Sequence, residues 1–226
     1  MHRRSLIAGT LCSALIAAAH TAQASSGPIF IKLELPFTNA RGTLVKLFSY
    51  DCPFCYRFDI GLDPDLAVTC NALGLKFCPV NIESRGRFGR CASEFFALSL
   101  LKDQQTGVNI FDATSLFRRA KEALYFAYHK KHERWSTGED AFIATLSDAT
   151  LISPQTFASL RETREVQSLA NSWKLYESCV HVQGVPAYIV DGQYMVLTRA
   201  VKSKQSLMEL IARLAIFPHQ NGTKQP

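Results

Sequence analysis

The segment Cys52-Pro53-Phe54-Cys55 constrains the fold more than any other feature, because it stands where a strand gives way to a helix. The residues before it, 43–50, are rich in β-formers. Pro53 suits the first position of a helix, where its missing N–H is not needed. The second cysteine follows three residues after the first, so both lie on one helical face. The segment therefore predicts two cysteines held together at a helix start.

This position predicts a chemical role for Cys52. Its sulfur would face unpaired backbone N–H groups and the positive end of the helix dipole, and both stabilise a thiolate. Cys55 is within reach and can form a disulfide with it. A Cys–His hydrolase is a weaker interpretation, because Cys55 explains Cys52 better than any distant histidine does. The sequence therefore predicts a redox-active dithiol.

A zinc site is the main rival interpretation of two cysteines at this spacing. It would need a second pair of ligands, and Cys70 and Cys78 are too widely spaced for the usual zinc knuckle. His129 and His132 have a suitable i, i+3 spacing, but they lie in a run of Lys and Arg that would repel a cation. No metal is therefore expected.

The N-terminus has the pattern of an export signal. His2-Arg3-Arg4 is a basic start, residues 6–19 are apolar, and Ala22-Gln23-Ala24 resembles a signal-peptidase site. The apolar run is too short to span a bilayer comfortably, and no later segment is long enough. Residues 1–24 are therefore predicted to be a cleaved leader, with Ser25 at the mature start of an exported protein.

Export changes what the other cysteines imply. The full chain has 7 cysteines, and Cys12 lies in the leader. The six that remain are an even set, which favours disulfides in an oxidising compartment. The net charge of +6 falls by two when Arg3 and Arg4 are removed. Such a mildly basic balance does not favour nucleic acid as a partner.

The apolar patterns divide the rest of the chain into strands and helices. Asp191-Gly192 between two apolar runs predicts a tight hairpin, and Ser153 before Pro154 predicts a helix start. The predicted strands are residues 30–35, 43–50, 75–82, 185–190 and 193–198. The predicted helical stretches are residues 53–73 with an interruption near 61–64, 87–179 with breaks near 103–108, 137–138 and 153–154, and 203–216.

A β-α-β half, a helical block and a β-β-α half follow one another in this order. The order predicts an α/β protein with a thioredoxin-like fold and an inserted helical domain that caps the dithiol. A separate helical domain is the alternative, but no linker rich in Gly, Ser or Pro marks a boundary. The predicted parts are the thioredoxin-like residues 25–86 and 180–217, the insertion 87–179 and a mobile tail 218–226.

Three segments resemble the DsbA family of periplasmic thiol:disulfide oxidoreductases. They are residues 48–58 around the two cysteines, residues 79–82, and residues 182–194 with Gly184-Val185-Pro186 at a strand start. The resemblance implies a periplasmic enzyme that donates the Cys52–Cys55 disulfide to reduced, newly exported proteins. It also implies a monomer without a cofactor, reoxidised by a DsbB-like, quinone-linked membrane partner.

The resemblance also implies roles for individual residues. Val185-Pro186 would be a cis peptide bond beside the dithiol, and the Val185 backbone would bind an extended substrate. Cys52 would be the exposed sulfur that the substrate attacks, while Cys55 would lie beneath the helix. Phe54 would be exposed and would contact unfolded substrates.

Two positions depart from the family pattern. Phe54 stands where the best-known members carry histidine, so one partner for the Cys52 thiolate is missing. Lys46 stands where many relatives carry a buried acid, and its charge would lower the pKa of Cys52. Lys46 and Pro53 are therefore the residues expected to tune the thiolate. An alternative for Lys46 is a stem on the sheet with its amine in water.

The remaining four cysteines allow three pairings. Cys70 and Cys78 are expected at the lower edge of the sheet, and Cys91 and Cys179 at the two ends of the insertion. The sequence therefore predicts structural disulfides Cys70–Cys78 and Cys91–Cys179, the second of which closes a long loop. Free buried thiols are the alternative.

Two other functions use the same dithiol. One is a disulfide isomerase or reductase, although isomerases of this lineage usually dimerise through an added N-terminal domain, and only a short segment precedes the first strand here. The other is an exported chaperone or metal-handling module. Oxidation of a reduced peptide, together with the absence of metal after aerobic purification, distinguishes a disulfide donor from the second.

Overall fold

A five-stranded sheet forms the centre of the molecule. The computed structural model describes residues 28–220. The strand order is β1-β5-β4-β2-β3, with β3 parallel to β2 and the other neighbouring pairs antiparallel. The strands are β1 (Phe30–Lys32), β2 (Thr43–Phe48), β3 (Lys76–Asn81), β4 (Ala187–Val190) and β5 (Tyr194–Val196).

Helices surround this sheet at the positions that the sequence predicts. The predicted helix at 53–73 is two helices that meet at Leu62, just before Pro64. Ser153 begins a helix as predicted, because its side chain accepts a hydrogen bond from the Thr156 N–H at 3.1 Å. The helices are α1 (Pro53–Gly61), α2 (Asp63–Ala72), α3 (Gly89–Thr106), α4 (Leu116–His129), α5 (Glu139–Thr150), α6 (Pro154–Arg161), α7 (Arg164–Ser172), α8 (Glu177–Gln183) and α9 (Lys204–Gln220).

The predicted hairpin is confirmed between β4 and β5. Asp191 and Gly192 have φ angles of 52° and 67°, the left-handed pair that a type I′ turn requires. At Gly192 a Cβ would lie 2.2 Å from the Phe37 carbonyl oxygen, so only glycine fits. Asp191 Oδ1 also accepts a hydrogen bond from the Gly42 N–H at 2.7 Å. The turn therefore fixes the register of β4 beside β2.

Alternation along the strands separates two hydrophobic clusters. Tyr188 and Val190 of β4 face the cluster that includes residues of α2 and α9. Ala187 and Ile189 face the larger cluster, to which helices α3–α7 contribute. Helices α3–α8 occupy the interval predicted for the insertion, and α8 continues to Gln183. The insertion therefore packs on one face of the sheet and α9 on the other.

The ends of the chain differ from the prediction. Strand β1 stops at Lys32, and Leu35 beyond it is 86% exposed. Helix α9 continues to Gln220, so the tail predicted to be mobile from position 218 begins inside a helix. The predicted leader 1–24 and residues 221–226 lie outside the described residues. Within the described range, no helix has the length and apolar character needed to span a membrane.

Candidate active site

The two cysteines occupy the first turn of α1. Cys52 is the N-cap residue and Pro53 the first helical residue, as predicted. The Cys52 sulfur accepts a hydrogen bond from the Cys55 backbone N–H at 3.1 Å. The pKa of Cys52 is lowered to about 7, first by the Cys55 thiol and then by the backbone N–H groups of Cys55 and Phe54, against the effect of burial. A thiolate is therefore stable at this position near neutral pH.

Cys55 lies in the opposite environment. Its side chain is 0% exposed, and burial raises its pKa well above 9. The charge of Lys46 and the backbone N–H of Ser49 act against this rise. The pKa values of the two thiols are thus shifted in opposite directions. Such a difference suits a disulfide in which Cys52 is the attacked sulfur and Cys55 is the leaving group.

The loop before β4 closes over Cys52. The Val185–Pro186 peptide bond is cis, as the resemblance implied. The Cys52 thiol donates a hydrogen bond to the Val185 carbonyl oxygen at 3.3 Å, which places the loop beside the dithiol. Thr198 Oγ1 donates to the Pro186 carbonyl at 2.9 Å, and Gln183 Nε2 donates to the Val196 carbonyl at 2.7 Å. Strand β5 and the segment after it therefore hold the loop in place.

The exposure of the site residues differs in one respect from the prediction. Cys52 was expected to be the exposed sulfur, but it is only 3% exposed, because the Val185 carbonyl lies against it. Phe54 is 55% exposed, as predicted, and the Arg57 guanidinium lies over its ring at 4.5 Å. An exposed aromatic ring and an exposed cation thus lie together on the first turns of α1.

A cleft of about 490 Å³ continues from Phe54 along α1. Its walls come from α1, from the segment after β5 and from the start of α9. Arg57, Lys202 and Lys204 give it a basic character, while Phe58 and Leu207 are among its apolar residues.

Lys46 is buried beneath the dithiol. Its side chain is 2% exposed, which excludes an amine in water. It pairs with Asp63, and its Nζ lies 3.8 Å from Asp59 Oδ1. The Tyr188 hydroxyl donates to Asp63 Oδ1 at 2.7 Å. The charge of Lys46 lowers the pKa of Cys55, whereas the sequence predicted that it would lower the pKa of Cys52.

The sequence did not single out the partners of Lys46. Asp59 follows Cys55 by four residues, so both lie on one face of α1, and that spacing was the available signal. Asp63 begins α2, where a carboxylate is favourable. Tyr188 meets Lys46 only through the register of β4 on β2, which local sequence does not encode.

The four other cysteines differ from the predicted pairing, because all of them are free thiols in the structure. Cys70 belongs to the cluster with α9 and Cys78 packs against the other cluster, so their side chains lie on opposite faces of the sheet. Cys91 in α3 lies near the charges of Glu139 and Arg161. Cys179 lies in α8 and affects the pKa of Tyr176.

Several known proteins are similar to this chain in sequence and in structure. The thiol:disulfide interchange protein DsbL of Escherichia coli O6:H1 (strain CFT073) is 40% identical over 214 residues, which are 93% of this chain and 96% of that protein. The crystal structure of Salmonella enterica serovar Typhimurium DsbL has a TM-score of 0.79 at 40% identity and covers 88% of this chain and 97% of that chain. Pseudomonas aeruginosa DsbA, at 21% identity, has a TM-score of 0.64 over 88% of this chain and 96% of that chain. No protein-family model matches the chain.

Proposed function

The chain belongs to the DsbL family of thiol:disulfide interchange proteins, and from this premise we propose that Cys52 and Cys55 carry out the exchange. The predicted thioredoxin-like fold and thiol:disulfide oxidoreductase activity are confirmed by the relatives. One observation supports the assignment to these residues above all. The Cys52 sulfur lies at the start of α1, hydrogen-bonded by the Cys55 N–H, and its pKa is lowered to about 7.

The proposed reaction is a pair of thiol exchanges. A substrate thiolate attacks the Cys52 sulfur, the Cys52–Cys55 bond breaks, and its electron pair stays on Cys55. A second substrate thiolate then attacks the substrate sulfur of the mixed disulfide, and Cys52 leaves as a thiolate. The substrate loses two electrons and the dithiol gains them. A stable Cys52 thiolate favours the reduced protein, so the oxidised protein is an oxidant.

The substrate is held beside Cys52 by backbone and by apolar surface. Val185 offers its carbonyl next to the sulfur, and an extended peptide would pair with this short edge. Phe54 is exposed on the same side and would contact apolar side chains of an unfolded chain. In the oxidised protein Cys52 has no S–H, so its hydrogen bond to the Val185 carbonyl is absent when the substrate attacks.

The proposed setting is the periplasm. The basic start, apolar run and small-residue cleavage pattern at the N-terminus support export. Reduced, newly exported proteins are the proposed substrates, and a DsbB-like, quinone-linked membrane protein is the proposed partner that restores the disulfide. The proposed active form is a monomer.

Mixing the oxidised protein with a reduced peptide that contains two cysteines tests this function. We expect the peptide to gain a disulfide while the protein becomes reduced, which mass spectrometry measures on both molecules. Cys52→Ser should abolish the reaction, and Cys70→Ser, away from the dithiol, should leave it unchanged. Reduction of an oxidised peptide without net oxidation of the reduced one would support a reductase instead.

A further inference from the structure

Lys46 is a charged group held in a fixed place inside the protein. It extends from β2, where its neighbours in register are Pro79 of β3 and Tyr188 of β4. An isolated ammonium at 2% exposure would be strongly unfavourable. Asp63 pairs with this amine and is itself held by the Tyr188 hydroxyl at 2.7 Å. These contacts fix both the charge and the position of Lys46.

The geometry of α1 places this charge below Cys55. Cys55 and Asp59 are four residues apart, so their side chains are neighbours on one face of the helix. Lys46 Nζ is 3.8 Å from Asp59 Oδ1, and Asp59 lies one helical turn along α1 from Cys55. The charges of Lys46 and Cys55 act on each other, so the ammonium is near the buried thiol. The titratable groups that surround this ammonium are Asp59 of α1, Asp63 of α2, Lys121 and Tyr125 of α4, and Tyr188 of β4.

Lys121 determines which carboxylate pairs with which ammonium group in this cluster. It pairs with Asp59, so the insertion supplies a second cation for that carboxylate. Asp63 is then the carboxylate that holds Lys46 directly. Burial lowers the pKa of Lys46, but the charges of Asp63 and Asp59 outweigh burial and raise it, so the amine stays protonated. A cation therefore remains available on the Cys55 side of the cluster.

We propose that Lys46, positioned by Asp63 and Tyr188, is the counter-charge for Cys55 when Cys55 leaves the disulfide. The inference rests on the proposed function and assigns to Lys46 one step of it. When the substrate thiolate bonds to the Cys52 sulfur, the electron pair of the broken S–S bond goes to Cys55. The thiolate forms at 0% exposure, and the ammonium balances its charge there. A proton from water later converts Cys55 to the thiol.

The environment of Cys55 explains why a counter-charge matters. Burial raises its pKa well above 9, and a thiol of high pKa is a slow leaving group. The charge of Lys46 lowers the pKa of Cys55, and this speeds the same step. Asp63 and Tyr188 act through Lys46, so they are positioning residues.

The test uses the full-length mature protein with Lys46→Met, and a second variant in which Asp63→Asn is added. The second variant leaves no unpaired carboxylate at position 63, and the amide can still accept from Tyr188. Lys174→Met is the matched control, because it removes an amine that pairs with Glu83 at 3.3 Å in another part of the molecule. The measurements are the rate at which glutathione opens the Cys52–Cys55 disulfide, and the pKa of each cysteine from NMR of ¹³Cβ-labelled reduced protein.

In both Lys46 variants we expect glutathione to open the Cys52–Cys55 disulfide about tenfold more slowly, and the pKa of Cys55 to be higher. Cys52 should still titrate near 7, and Lys174→Met should match the wild type. Wild-type rates and an unchanged Cys55 pKa in the folded double variant would overturn the inference, as would a shift confined to Cys52. If the wild type oxidises no peptide but Cys55 still responds to Lys46→Met, the proposed function fails while the electrostatic role of Lys46 stands.

Discussion

Cys52 and Cys70 are both almost inaccessible, yet their thiols behave in opposite ways. Cys52 begins α1, and its pKa is lowered to about 7. Cys70 lies in the last turn of α2, within an apolar cluster, and burial raises its pKa to about 12. The Cys55 thiol and then the free N–H groups of the helix start lower the pKa of Cys52, whereas the last turn of a helix offers carbonyl groups. Burial alone therefore does not decide reactivity at these cysteines, since the nearby donors outweigh it at Cys52.

The largest expected consequence is in alkylation of the reduced protein. At pH 7.5, Cys52 should react with iodoacetamide at least about 100-fold faster than Cys70, because the thiolate fraction of Cys52 is much larger than that of Cys70. The pH profile of the fast reaction should have its midpoint at about 7. Peptide mapping by mass spectrometry at several reaction times measures both quantities.

The Cys52→Ser variant is the control for the fast phase, which should disappear completely. A fast phase that maps to Cys70 or Cys78 would contradict the difference in reactivity between Cys52 and the buried thiols.

Peptide mapping after alkylation of the denatured protein, without reductant, also shows which cysteines are free thiols. The structure predicts that Cys70, Cys78, Cys91 and Cys179 are all modified, whereas the disulfides predicted from sequence would protect all four.

A second consequence concerns stability against pH. The pKa of Cys52 is about 7 in the folded protein and lower than the unfolded value of 9.0. The contribution of the Cys52 thiolate to the free energy of unfolding is therefore fully present above pH 9 and is lost as the pH falls through 7. We expect the reduced protein to gain about 1–2 kcal/mol in free energy of unfolding between these limits, after allowance for solvent screening. Urea unfolding at fixed pH values measures it.

The oxidised protein provides the comparison for this effect, because its Cys52 cannot titrate. Its free energy of unfolding should lack the rise, and so should that of reduced Cys52→Ser. Above pH 9 the buried thiols with raised pKa values, such as Cys70, oppose further stabilisation. Parallel pH curves for the oxidised and reduced proteins would contradict the assigned pKa of Cys52.

The sequence predicted those features that depend on neighbouring residues. The helix start at Cys52-Pro53, the turn at Asp191-Gly192 and the cap at Ser153 each follow from local chemistry. Contacts across the sheet were not predictable in this way. The partners of Lys46 depend on the register of β4 on β2, and the separation of Cys70 from Cys78 depends on which face each side chain takes.

The smallest expected effect tests what Phe54 contributes to the difference between Cys52 and Cys70. Phe54→His would place a donor and a partial positive charge in the first turn of α1, so the pKa of Cys52 should fall below about 7. The shift should be modest, because this side chain is 55% exposed and solvent screens its charge. Thiolate absorbance at 240 nm against pH measures the pKa, and Phe54→Leu, which adds no charge, should leave it unchanged. Equal shifts in both variants would mean that Phe54 affects the pKa of Cys52 through the packing of its ring and not through a missing charge.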